Sequence, residues 1–152
     1  MILIDFAFDP AFPNAKLNVA KADETMLRCY CFHGDQILII DGADFSARWG
    51  WVTLLDFAAV LVYVCKALRC ETSATLDFTE SEAELKFDRL GDQVSISATY
   101  TTATATITLN QLSSAAYEYA SRILKAAIEV EPALAKNRQL KTWYPMAGEP
   151  LD

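Results

Sequence analysis

The chain has 152 residues, 53% of them apolar and 22% charged, with 13 Lys+Arg against 20 Asp+Glu and a net charge of −7. That is enough chain for one domain with its own core, and too apolar for a disordered acidic polymer. The negative balance argues against nucleic-acid binding, which needs clustered Lys and Arg to meet phosphates.

Ile2, Ile4, Phe6 and Phe8 alternate with Leu3, Asp5 and Ala7, the period of a strand. The start carries no basic n-region and reaches Asp5 at once, so no secretory signal is expected. Asp9-Pro10 and Pro13-Asn14 then break the chain. Met26 to Phe32 is β-friendly, His33-Gly34-Asp35 reads as a turn, and Gln36 to Ile40 as the returning strand of a hairpin. Asp41-Gly42 ends it.

From Thr53 to Arg69, the residues Leu54, Phe57, Ala58, Leu61, Cys65 and Leu68 recur at three and four, predicting a helix. Its outer face is also apolar, so it should be covered on more than one side. Asp56 and Lys66 interrupt the stretch, and its uncharged centre is too short to span a bilayer. Four strands follow at Ala74–Phe78, Ala83–Arg89, Gln93–Thr99 and Thr102–Thr108, joined by short loops and so antiparallel. A second helix starts near Asn110 as its N-cap, with Leu112, Ala116, Tyr119, Ile123, Ala126, Val130 and Leu134 forming one stripe, and Pro132 either ends it or begins a short continuation as a first-turn residue. The expected order is βββαββββα. It implies an α+β domain over 1–141, with six to seven mainly antiparallel strands in one sheet and both helices on one face. Residues 142–152 are expected to form a loose tail.

No residue set announces catalysis, a cofactor or a metal, and the chain is read as a non-enzyme. Cys29, Cys31 and His33 would share one strand face, but residues four apart on a strand lie about 13 Å apart, too far to meet one ion. The four cysteines are read as free thiols of a reducing, cytoplasmic compartment. His33 stands beside Gly34 with no accompanying nucleophile signature, and Asp41 with Asp44 fits a strand-end turn.

The charge map carries more. Residues 71–92 hold Glu71, Asp77, Glu80, Glu82, Glu84, Asp88 and Asp92 against Lys86 and Arg89, a local net of −5. Residues 120–142 hold five basic against two acidic residues, a net of +3. The acidic stretch is either a solvated sheet edge whose charges discourage aggregation or a docking face for a basic partner. Trp49 and Trp51, on either side of Gly50, either close the core at the sheet–helix junction or anchor an interface. Trp143 and Tyr144 pose the same choice.

The block Trp49-Gly50-Trp51-Val52-Thr53-Leu54-Leu55-Asp56-Phe57-Ala58 leads into the strand meander and then into a long helix closing on Glu131-Pro132-Ala133-Leu134. Over roughly residues 49 to 134 this resembles small bacterial proteins associated with polymorphic or contact-dependent toxin systems. The resemblance implies a cytoplasmic immunity protein, monomer or homodimer, that binds a cognate toxin domain and blocks it. It carries over no functional residues. The candidate partner-binding residues are therefore those of the charge map and the tryptophan pair: Asp77, Glu80, Glu82, Glu84, Asp88, Trp49 and Trp51. The alternatives are an acidic secretion chaperone for an effector and, third, a small-molecule-binding protein or enzyme. No nucleic-acid or membrane partner is expected.

Overall fold

The computed structural model describes residues 1–10, 18–79 and 81–145. Among them are eight strands: β1 (Ile2–Phe8), β2 (His33–Ile40), β3 (Ala43–Asp44), β4 (Ala47–Thr53), β5 (Ser73–Asp77), β6 (Glu84–Leu90), β7 (Gln93–Ala98) and β8 (Thr104–Thr108). The helices are α1 (Glu24–Cys29), α2 (Leu54–Ala67), α3 (Leu109–Val130) and α4 (Leu140–Trp143), with a 3-10 turn at Pro132–Lys136 between α3 and α4.

The protein is α+β, as expected, but the strands form two antiparallel four-stranded sheets rather than one. In the first, β2 lies between β1 and the pair β3 and β4. The second is the meander β5-β6-β7-β8. The split has a local cause. Asp41 and Gly42 both take positive φ, 47° and 85°, and turn the chain straight back onto β2. Both edges of β2 are then occupied within the first 53 residues, and each meander strand pairs with its neighbour in sequence.

The expected strand over Met26–Phe32 is a correction. Its first part is helix α1, which Asp23 caps by accepting from Met26 N at 2.9 Å, with Glu24 in the first turn and Arg28 in the last. The β-favouring Tyr30, Cys31 and Phe32 make the reversal into β2, where Phe32 takes φ 56° while fully buried. His33-Gly34-Asp35 is therefore strand, not turn. A Cβ on Gly34 would meet the Ala7 carbonyl oxygen at 2.0 Å, so only glycine lets β1 lie this close. Gly34→Ala should destabilise the fold by about 3 kcal/mol, read as a lower urea midpoint, because the obstacle is backbone that cannot swing aside.

α2 and α3 pack against each other, and each touches strands of both sheets. α2 is accordingly buried on most of its circumference, with Leu54, Leu55, Ala58, Ala59, Leu61 and Val62 almost wholly inaccessible. α3 is a one-sided helix. It begins earlier than expected, because Thr108, not Asn110, caps it through a reciprocal box with Gln111. One polar pair crosses the core. Tyr119, fully buried, donates to Gln36 Oε1 at 2.8 Å, and the Gln36 amide donates to the carbonyls of Asp5 and Ile37. Every polar atom of that amide is thus satisfied, so its burial costs little.

The segment expected as a loose tail starts with residues that pack. Trp143 and Tyr144 are 4% and 3% exposed. The Trp143 carbonyl accepts from Tyr63, and the Tyr144 hydroxyl donates to Ala120 O. Just upstream, buried Asn137 donates to the carbonyls of Val19 and Ala22 and accepts from Leu140 N. Residues 146–152 lie outside the described residues.

Candidate partner-binding surface

Strand alternation sets up the acidic face. In the second sheet Leu76, Leu85, Phe87, Val94, Ile96 and Ile107 point into the core. The register then places their neighbours together on the opposite face. Asp77 stands directly across from Glu84, Thr75 from Lys86, and Ser73 from Asp88. Lys86 and Asp88 continue to Ser97 and Ser95, and these to Thr104 and Thr106. The outer face is a hydroxyl-rich plane carrying three carboxylates and one ammonium.

The other local cation turns away. Arg89 donates to the carbonyls of Leu68 and Gly91, so its charge sits at the C-terminal end of α2. Among the described residues, Asp77, Glu82, Glu84 and Asp88 enter no ion pair. The Asp77–Glu84 pair thus puts like charges directly opposite each other across two strands, an arrangement that costs about 0.2–1 kcal/mol. Glu82 is exposed in the connection before β6. Glu80 lies outside the described residues.

The tryptophans sit on the first sheet, in a strand that sequence alone did not reveal. Gly34 pairs with Val52 and Gln36 with Ala47, so Arg48, Trp49, Gly50 and Trp51 stand opposite the single residue Asp35. This wide bulge is pinned by Asp35, whose carboxylate accepts from Gly50 N at 2.8 Å, and Gly50 supplies the positive φ of 77° that it requires. The bulge brings the two indoles side by side. They stack at 5.1 Å with planes 25° apart. Trp49 is half-buried and meets Phe78 and Tyr100 edge-on at 5.2 and 5.3 Å. Trp51 is 43% exposed. Of the two, Trp49 closes the core and Trp51 faces out.

Phe78 follows Asp77 directly, and Tyr100 lies just beyond β7 at the same end of the sheet. The edge-on contacts therefore join the tryptophan bulge to the Asp77–Glu84 end of the acidic face. Asp88 lies about 13 Å further along β6. Two carboxylates missed in the sequence, Asp9 and Asp35, line a cleft beside the indoles together with Ala7, Phe8, Pro10, Gly34 and Gly50. Nothing local marks them: in the sequence Asp35 reads as a turn residue, and only the register of β2 against β4 brings it to the bulge.

The two buried thiols, Cys31 and Cys65, have little nucleophilic character. Burial pushes the Cys31 thiol up to about 11, with Glu131 adding to it, and burial likewise pushes Cys65 up to about 11. Cys29 ends α1, and its carbonyl accepts from His33 Nε2 at 2.8 Å, so Cys29, Cys31 and His33 do not share a strand face. No helix among the described residues is long and apolar enough to cross a membrane. The class that the structure defines is thus an α+β protein of two antiparallel sheets around two packed helices. No family model, curated protein or solved structure matches the chain.

Proposed function

We propose that this chain is an immunity protein of a bacterial toxin system, which binds one basic toxin domain stoichiometrically and neutralises it. The observation that carries the reading is the Asp77–Glu84 pair: like charges face each other on an open sheet face with no cation bridging them. Such a pair weakens the isolated fold and is relieved when a cationic surface docks. The hydroxyl-rich plane around it offers hydrogen bonds, and the tryptophan bulge at the same end offers apolar contact. Acidity concentrated on one face also steers a basic partner into place before contact. The resemblance of residues 49 to 134 to proteins of toxin systems points the same way.

The test begins with capture of the tagged chain's partner from its native cell and identification by mass spectrometry. The purified pair is then examined by light scattering and calorimetry at several salt concentrations. The expected result is a 1:1 complex with a basic protein, loss of that protein's toxicity on co-expression, and affinity that falls steeply with salt. Reversing Glu82, Glu84 and Asp88 to lysine should abolish protection. Affinity and salt dependence unchanged in that variant would overturn the proposal. So would a dimer that holds an unfolded effector segment, the behaviour of a secretion chaperone.

A further inference from the structure

The cleft beside the tryptophan bulge has a composition that the sheet fold does not call for. It measures about 550 Å³ and is lined by two indoles, Phe8, Pro10 and two carboxylates. Among the described residues, no lysine, arginine or histidine lines it. The bulge costs ladder hydrogen bonds and leaves Trp51 43% exposed, where a regular strand would alternate and bury. Asp35 is fixed as well, since its hydrogen bond to Gly50 N ties the carboxylate to the strand that carries the indoles.

A flat aromatic face next to a fixed carboxylate is the pair of features that recognises a guanidinium. The planar cation stacks on an indole and presents N–H groups at its rim to a carboxylate. An ammonium would gain the charge but not the stacking, and an apolar side chain would bring no N–H donor to the Asp35 carboxylate. We propose that this cleft receives an arginine side chain of the basic partner, stacked against Trp51 and directed at Asp35. The inference rests on the partner reading above and names the residue type by which the partner is gripped. The acidic face attracts the partner over distance. The cleft holds one of its side chains at close range.

The test uses the whole chain, 15N-labelled, titrated with N-acetyl-arginine-methylamide, its uncharged isostere N-acetyl-citrulline-methylamide, and N-acetyl-lysine-methylamide. The indole N–H signals of Trp49 and Trp51 are the readout, and that of Trp143, buried elsewhere, is the internal reference. Arginine should shift both signals saturably, with citrulline at least about tenfold weaker and lysine between them. Asp35→Asn removes the charge while its amide oxygen still accepts from Gly50 N–H, and should weaken arginine binding about tenfold. Trp51→Ala, at an exposed position, should abolish it with the rest of the spectrum unchanged. Equal shifts with citrulline, or undiminished binding in either variant, would overturn the assignment. A partner captured in a salt-sensitive complex while the indoles stay silent defeats the cleft alone. Arginine-responsive indoles without a basic partner defeat the partner reading alone.

Discussion

Asp77→Lys should make the isolated protein more stable and the complex with its partner weaker. Position 77 faces Glu84 across β5 and β6, so the substitution turns a repulsive cross-strand pair into an attractive one. On an exposed face that is worth about 0.5 kcal/mol, or a rise in melting temperature of about 1–2 °C for a chain of this size. Binding should move the other way by about tenfold or more, mainly through a slower association rate that loses its salt dependence. A face whose acidity served only solubility predicts the first effect without the second. Thermal melts and stopped-flow association with the captured partner separate the two. Unchanged association would sink the docking role of this strand pair. The contrast with other surface acids is informative. Asp44, for example, is held below the usual carboxylate range by the Ser46 hydroxyl and amide and by Arg48, so its charge is already answered locally.

Asp56→Ala should produce the largest loss of stability among single charge deletions, about 3 kcal/mol, with a melting temperature lower by about 6–12 °C. Asp56 lies in the first turn of α2 and is 7% exposed. It accepts from Arg28 Nε at 2.6 Å and from Thr79 Oγ1 at 2.7 Å. The Arg28 guanidinium in turn sits 5.0 Å from the ring centre of Trp143. One carboxylate therefore ties together α1, α2, the segment after β5 and α4, four pieces far apart in sequence. Its removal leaves Arg28 half-buried with only the outer carboxylate of Glu24, at 3.1 Å, as partner. Glu24→Ala, which deletes that exposed helical pair, should cost less than about 0.5 kcal/mol. Urea titrations of both variants give the comparison. A loss below about 1 kcal/mol for Asp56→Ala would mean that the network contributes little to stability.

The same carboxylate shows how far local reading reaches. In the sequence Asp56 is a favourable first-turn residue opposite the helix dipole. Nothing there points to Arg28, Thr79 or Trp143, because the link depends on how α1 and α4 come to rest against α2. The meander was legible because each of its strands has one wet face, so Leu85 and Phe87 alternate visibly with Lys86 and Asp88. The long helices were legible because their stripes persist over several turns. Helix α1 was not. Over six residues a 3.6-residue period and a 2-residue period are hard to tell apart, and the aromatic and cysteine residues beyond it raised the strand reading. The cap at Asp23 was the signal that outweighed them.

The candidate surface divides along the same line. The local excess of negative charge at 71–92 and the tryptophan pair are properties of the chain itself. That Asp77 faces Glu84 follows once the β5–β6 hairpin closes, since the pairing of strands adjacent in sequence is set by their hydrophobic alternation and a short connection. The two-sheet split, the bulge opposite Asp35, and the meeting of positions 9, 35, 49 and 51 were decided only in three dimensions. Each depends on which edge of β2 a later strand occupies and in what register, and those choices are made by packing across the whole core. Composition and period determined which elements could form and which faces would be acidic. Tertiary structure determined which carboxylates stand beside which indoles, because that proximity joins residues that share no local pattern.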